Sequence, residues 1–140
     1  MAISIEDKKA WLKRGVDVQK ELQLLNDTRQ CVYEDATHIT GNMSAGRVSG
    51  SRSIHRFDKL AEVDGFIKAQ ERRLVELRGE ILKAIYTVPT LPERELLTYK
   101  YIHGLPMEKL IDKLNYSDRH IQRIHKQALE KIQIPEHKGA

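Results

Sequence analysis

The sequence predicts an all-α protein, with a long antiparallel helical hairpin or coiled-coil arm followed by three short helices near its C-terminus. Apolar residues recur three and four positions apart over residues 58–88, and shorter runs with the same spacing follow over residues 91–132. This spacing is typical of helices that bury one face. The charged fraction of 31% and the aromatic fraction of 6% also favour long solvated helices over a large globular core.

Length and charge narrow the classes of protein further. A chain of 140 residues can form one domain, or a small domain with an extended arm. The net charge of +4 is compatible with nucleic-acid binding but does not establish it. Cys31 is the single cysteine, so an internal disulfide is excluded. No apolar run approaches the roughly 20 residues that span a bilayer, and we expect a cytoplasmic protein without membrane attachment.

Residues 3–37 are predicted to form the first long helix, because they contain no proline and only one glycine, Gly15. An apolar track runs along this segment with spacings that suit a heptad, interrupted by Arg29. We expect the helix to pack against the later long helix, and a contact between subunits is the alternative. The residues of the track are Trp11, Val18, Leu22, Leu25 and Val32, and Leu12 and Leu24 are expected to broaden it.

The segment 37–57 differs in composition, because glycines recur among serines and no acidic residue is present. This composition predicts a flexible linker within a helical arm of residues 1–88. The alternative is an accessory basic arm that becomes ordered on nucleic-acid phosphates. Its arginines would be Arg47, Arg52 and Arg56.

Residues 58–88 show the most regular periodicity in the chain. Apolar residues alternate three and four apart over four heptads, and Gln70 is the one polar member. Phe66, Leu82 and Ile85 are expected to widen this face, so the helix should pack on more than one neighbour. One neighbour is the first helix, and a second copy of the chain would be another, which predicts a homodimer. The predicted coiled-coil and oligomer stripe is Leu60, Val63, Ile67, Gln70, Leu74, Leu77 and Ile81.

Two prolines, Pro89 and Pro92, separate this arm from a second predicted domain at residues 89–134. Its first helix is predicted to begin at Leu91 and to end at His103-Gly104, because glycine tolerates the left-handed conformation at a helix end. Pro106 suits the first turn of the second helix. That helix has Leu110, Ile111 and Leu114 on its apolar side, and Asn115 can end it.

Ser117 is predicted to cap the last helix, where its hydroxyl can accept a backbone N–H of the first turn. A buried stripe follows, and the short connection after Asn115 is that of a helix-turn-helix. The tail at residues 135–140 is polar and predicted to be disordered. The stripe consists of Ile121, Ile124, Ala128 and Ile132.

The opposite face of the last helix carries groups that donate hydrogen bonds to base edges and phosphates. The first turns of such a recognition helix enter the major groove, so its basic residues there are the base-contact candidates. These are Arg119, His120 and Arg123, and the phosphate-contact candidates are Ser117, Gln122, Lys126 and Gln127.

The segment resembles region four of bacterial sigma factors, the part that reads the −35 promoter element. Asp118 departs from that pattern, because sigma factors often have a basic residue there. The resemblance implies that Arg119, His120 and Arg123 contact bases. The matching motifs are Leu91-Pro92-x-Arg94-Glu95, Leu96-Leu97 with Tyr99, Gly104-Leu105-Pro106-Met107-Glu108-Lys109-Leu110, and Ser117-x-x-x-Ile121-x-x-Ile124-x-x-x-Ala128-Leu129-x-x-Ile132.

The rest of the chain does not resemble a sigma factor, but the whole layout resembles small prophage proteins of Gram-positive bacteria, sigma-like regulators akin to phage late-transcription activators. Both resemblances imply a sequence-specific transcription regulator that binds double-stranded DNA and RNA polymerase. One alternative is a phage small terminase subunit, which also combines a helix-turn-helix with oligomerisation helices. Another is a helical interaction protein that does not bind DNA.

The sequence offers no positive sign of catalysis, a metal site or a cofactor. His120 and His125 are five residues apart, so they do not share a helical face as a pair four apart would. No second cysteine is present to complete a structural zinc site. Ser51 and Ser53 lack a nucleophile-elbow motif. We therefore expect a protein that is not an enzyme.

Overall fold

A computed structural model of the chain describes residues 3–42 and 50–135 and confirms the all-α class. Over these residues the chain is helical, with short connections and no strand. The elements in order are α1 (Ile5–Asn42), α2 (Gly50–Ile85), α3 (Leu91–Leu97), a π-helical turn (Thr98–Ile102), α4 (Met107–Leu114) and α5 (Asp118–Lys131).

Helix occupies much of the segment 37–57 that was predicted to be a flexible linker. α1 continues to Asn42 and α2 already begins at Gly50, while residues 43–49 lie outside the described part of the chain. The prediction rested on glycine and serine content. A glycine costs a helix about 1 kcal/mol relative to alanine, and extending an existing helix is far easier than starting one. Isolated glycines therefore do not stop two long helices.

The chain divides into two compact units. One unit comprises Met1–Asp17 and Leu74–Ala140, and the other comprises Val18–Arg73. The predicted division into an arm at 1–88 and a domain at 89–134 stays a prediction, and the compact units divide the chain at other positions. Each of the two long helices contributes residues to both units.

In the unit Val18–Arg73, the predicted apolar faces of α1 and α2 are turned away from solvent. Val18 and Leu22 are buried on α1, and Leu60 and Ile67 are buried on α2. The Arg29 guanidinium, which interrupts the apolar track, donates to the Asp64 carboxylate at 2.5 Å. The charged member of the track is thus paired across the two helices.

The predicted stripe on α2 is buried or half-buried along its whole length within one chain. Its residues therefore need no second copy to be covered, and their use in an oligomer stays a prediction. Three apolar residues expected to broaden the stripes are instead exposed, because each step along a helix turns the side chain by about 100°. These residues are Leu24, Phe66 and Leu82, whereas Ile85 is fully buried as predicted.

The unit that contains the C-terminal helices is held together by a core that α1 and α2 also enter. Trp11 and Leu12 of α1 and Ile81 of α2 are buried in it. Gly15 lies at a close approach here, because a Cβ at this position would lie 3.2 Å from Ile81 Cδ1 and 3.7 Å from the Tyr101 carbonyl oxygen. α1 thus approaches both α2 and the π-helical turn closely. No described helix is both long and apolar enough to cross a membrane.

Candidate nucleic-acid interface

The first of the three C-terminal helices begins at Leu91 as the sequence predicts, but it ends at Leu97, and a π-helical turn continues to the predicted end at His103-Gly104. Thr90 is the N-cap of α3 with extended backbone angles, and Pro92 lies in the first turn, where it forfeits no hydrogen bond. The helix passes into the π-helical turn at Thr98, and Gly104 follows with φ of 75°, a left-handed value that favours glycine. The π-helical turn itself was not predicted. Such turns are rare, and the sequence carries no signal for one.

The connection between α4 and α5 also follows the prediction. Asn115 ends α4 with φ of 59°, and asparagine tolerates this left-handed conformation better than most residues. Ser117 caps α5, and its Oγ accepts the backbone N–H of His120 at 3.2 Å. One expected detail is wrong, because Pro106 is the N-cap of α4 and precedes the helix at Met107. Its ψ of 162° is extended, so the proline does not enter the first turn.

A shared apolar core joins α3, α4 and α5. Leu96, Leu110, Ile121 and Ile124 are buried against one another, one or two from each helix. Partly buried side chains surround this cluster, namely Tyr99, Leu105, Met107, Ile111, Leu114 and Tyr116. The predicted stripe of α5 is confirmed, because Ala128 and Ile132 are buried as well.

The C-terminal half of α5 is anchored by polar contacts that reach other parts of the unit. Lys131 Nζ donates to the buried Glu93 carboxylate at 2.8 Å, and the Thr90 hydroxyl donates to the same carboxylate. Burial raises the pKa of Glu93, but the hydrogen bonds from Lys131 and Thr90 outweigh it and hold the pKa below its ordinary value. Lys8 Nζ donates to the Leu129 carbonyl oxygen at 2.9 Å, where a cation complements the helix dipole.

A buried polar pair joins α5 to the π-helical turn. The Tyr101 hydroxyl and His125 Nε2 are 2.8 Å apart, and both side chains are buried. Burial, together with the positive charges of Lys100 and Lys9, lowers the pKa of His125 to about 4. Burial also raises the pKa of Tyr101. A neutral His125 therefore shares one hydrogen bond with the Tyr101 hydroxyl through Nε2.

The base-contact candidates lie on or beside the exposed face of α5. Arg119 and Arg123 are exposed, one turn apart. His120 is half-buried, and its ring centroid lies 4.5 Å from that of Tyr116, at an interplanar angle of 47°. The imidazole is therefore held beside the turn, while the two guanidinium groups extend into solvent.

The phosphate-contact candidates are exposed as well. Gln122 Nε2 donates to Asp118 Oδ2 at 3.1 Å, which orients the amide along the helix. Sequence reasoning did not single out Lys109 and Lys113, which are exposed on α4, the helix that precedes the turn. Their only signal was their charge, and the fold places them on the element that crosses the DNA backbone in helix-turn-helix proteins. The predicted candidates are Ser117, Gln122, Lys126 and Gln127.

Only two of the three arginines in the alternative basic arm lie within the described residues. Arg47 lies outside them, and Arg52 and Arg56 belong to the first turns of α2. Whether these arginines meet nucleic acid stays a prediction.

Comparison with known proteins gives one relevant similarity. The chain is 25% identical over 118 residues to the RNA polymerase sigma-B factor of Bacillus anthracis, a match that covers 84% of this chain and 42% of that protein. The chain thus spans less than half the length of this relative. No family model matches the chain, and no solved structure matches it.

The length of this match corrects one expectation. The sequence similarity to a sigma factor was expected in the last third of the chain alone. A match over 118 residues is longer than the whole segment from Leu91 to Ala140, so it includes part of the long helices. Long helices with a simple heptad pattern carry few distinctive motifs, which is why reading motifs did not detect it.

Proposed function

We propose that this protein is a DNA-binding transcription regulator of the sigma-factor type, with α5 as the helix that lies in the major groove. The observation that carries the proposal is the exposed face of α5, set on a three-helix core. The C-terminal half of α5 is held in place by contacts with Glu93 and Lys8 and by the buried Tyr101–His125 pair. Similarity to a sigma factor over most of the chain supports the same class.

The dimensions and charges of α5 suit a major groove. Its 14 residues make a rod of about 21 Å at 1.5 Å per residue, and the groove is roughly 12 Å wide, enough to admit a helix. Its exposed surface carries Arg119 in the first turn and Arg123 and Lys126 further along, while Asp118 begins the helix and Glu130 lies near its C-terminal end. The polar contacts at its C-terminal half leave the N-terminal turns free to approach base edges.

The roles of the exposed side chains follow from their positions. Arg119 and Arg123 project from the first two turns, where a guanidinium can pair with guanine O6 and N7. Ser117, Gln122, Lys126 and Gln127 flank them and contact phosphates. Lys113 joins this group from α4. Its Nζ lies 5.3 Å from the Tyr99 ring centroid, which holds the side chain at the surface.

The regulator would act by bringing RNA polymerase to a promoter or by changing its activity there. This part of the proposal rests on the similarity to a sigma factor and on the sequence resemblance to phage regulators. Two copies of the chain would read paired half-sites about one DNA turn apart. A surface that could join two copies is described in the next subsection.

The first experiment is selection of bound fragments from a random double-stranded DNA library with the full chain, followed by anisotropy titration of the best fragment at fixed salt. We expect a recurrent motif that binds about a thousandfold tighter than its scrambled sequence. Binding without a motif, and only at low salt, would contradict sequence-specific recognition.

Two variants then separate base contacts from phosphate contacts. Arg123→Ala should lose about 1–3 kcal/mol on the selected site and relax discrimination at one base pair. Lys126→Ala should weaken binding to all sequences alike and reduce the salt slope by about one. The control is Lys20→Ala, which removes an exposed lysine of α1 and should leave binding unchanged. If Arg123→Ala and Lys126→Ala behave alike, the division of roles is wrong.

A further inference from the structure

A second apolar stripe runs along the outer face of α2, in the unit that contains the C-terminal helices. Val75 is 72% exposed and Leu82 39%, and Gly79 lies between them. Tyr86, 66% exposed, directly follows the last residue of α2, and the Arg94 guanidinium lies 5.6 Å from its ring centroid. The positions 75, 79, 82 and 86 are four, three and four apart, which is the spacing of a helix–helix contact. This stripe is separate from the buried stripe that includes Leu77 and faces inward.

Packing within the described residues does not require a glycine at position 79. A Cβ built there would meet nothing within 4 Å. Glycine also disfavours the helix relative to alanine. At the centre of an apolar stripe, however, a residue without a side chain allows another helix to approach closely. The same stripe is therefore suited to a crossing helix.

Charged residues beside the stripe have a pattern that can pair with the same residues of a second copy. Glu76 and Lys83 are both exposed, and they lie seven residues apart on the same flank of α2. Glu76 precedes Gly79 by three residues and Lys83 follows it by four. If two copies of α2 cross in antiparallel fashion near Gly79, Glu76 of each copy faces Lys83 of the other. A two-fold contact repeats every interaction twice, so one complementary flank supplies two ion pairs.

We propose that the stripe formed by Val75, Gly79, Leu82 and Tyr86 is the contact surface of a homodimer, with the two α2 helices antiparallel and crossing near Gly79. The exposed parts of these side chains amount to roughly 400 Å² per copy, about half of the 800 Å² per partner in a standard interface. The dimer should therefore be a weak, reversible one.

The proposal does not depend on DNA binding, so it is tested on the free protein. Sedimentation equilibrium of the full chain over a concentration series should show a reversible monomer–dimer equilibrium. Leu82→Asp should weaken dimerisation at least about tenfold, because it places two like charges in the contact. The matched control is Leu24→Asp, since Leu24 is more exposed than Leu82 and belongs to α1 instead of the stripe. Unchanged dimerisation in Leu82→Asp would overturn the assignment.

A charge exchange tests the antiparallel arrangement. Glu76→Lys alone and Lys83→Glu alone should each weaken the dimer about five- to tenfold, since each creates two like-charge contacts. The double variant Glu76→Lys/Lys83→Glu should return to within about twofold of the original affinity. Residues seven apart on one helix are too distant to pair within a chain, so such a rescue can come only from the second copy. Additive losses in the double variant would contradict the antiparallel crossing.

Gly79→Leu separates folding from association. The open space at Gly79 means that this substitution should raise the melting temperature of the monomer while weakening the dimer. Gly65→Leu is the control, because a Cβ at Gly65 also meets nothing within 4 Å and Gly65 lies outside the stripe.

A chain that stays monomeric at all concentrations, but loses binding to RNA polymerase in Leu82→Asp, would overturn the dimer and assign the stripe to the polymerase.

Discussion

Acidification should destabilise this protein through one buried side chain, His125. Its pKa is lowered from 6.5 to about 4 in the folded chain, first by burial and then by Lys100 and Lys9. Between pH 4 and pH 6.5, His125 binds a proton in the unfolded chain but not in the folded chain. The stabilisation is therefore complete above pH 6.5 and is lost as the pH falls towards 4. A pKa shift of this size corresponds to a loss of about 3 kcal/mol in the free energy of unfolding. This is a large share of the 5–15 kcal/mol that is typical of a domain.

The variant that tests this reasoning removes both members of the buried pair. His125→Leu alone would leave the buried Tyr101 hydroxyl without its hydrogen-bond partner and would cost about 1–3 kcal/mol at every pH. Tyr101→Phe/His125→Leu replaces both groups by apolar side chains of related shape, so its stability at neutral pH should stay near the original. Its unfolding free energy should then fall much less between pH 6.5 and pH 4.

The assay is urea unfolding followed by circular dichroism over this pH range. His103→Gln is the control, because His103 is exposed at the end of the π-helical turn, and it should retain the original pH dependence. Nitrogen-detected NMR of the His125 ring gives a second reading, with a neutral imidazole expected midway through the range. A double variant whose stability falls with pH as steeply as that of the unmodified chain would refute the reasoning.

Two further predictions concern the ends of α5. Glu93→Gln should destabilise the fold by about 1–2 kcal/mol at neutral pH, because the Lys131 ammonium loses its charged acceptor. The pKa of Glu93 is lowered in the folded chain, so its carboxylate is protonated first in the unfolded state as the pH falls below 4.5. The difference in unfolding free energy between the variant and the unmodified chain, measured by urea unfolding, should therefore shrink below this pH. Ser117→Ala should cost about 1 kcal/mol by removing the cap on His120 N–H, and should also weaken DNA binding in the anisotropy titration. Ser117→Asp should preserve the stability, because aspartate also caps helices, but should weaken DNA binding, because its carboxylate would repel the phosphate that Ser117 is proposed to contact. Equal DNA affinity in Ser117→Ala would show that the first turn of α5 forms without its cap.

Local signals in the sequence were sufficient to locate most of the C-terminal helices. Asn115 and Ser117 each act through bonds to their own neighbourhood, so a residue type that tolerates positive φ or accepts a first-turn N–H marks a helix end wherever the chain later packs. The buried stripes of α2 and α5 were also legible, because a helix fixes which residues share a face. For the same reason the exposed positions of Arg119 and Arg123 followed from the pattern alone.

What the sequence determined by itself was therefore the class of fold, the turn between α4 and α5 and the face of α5 that meets solvent. Tertiary structure alone decided which distant residues meet. The contacts of Glu93 with Lys131 and of Tyr101 with His125 join residues 38 and 24 positions apart, and no local pattern encodes such distances. The outer stripe of α2 also emerged only after packing, because a heptad pattern shows which residues are apolar, whereas the fold decides which of them remain uncovered.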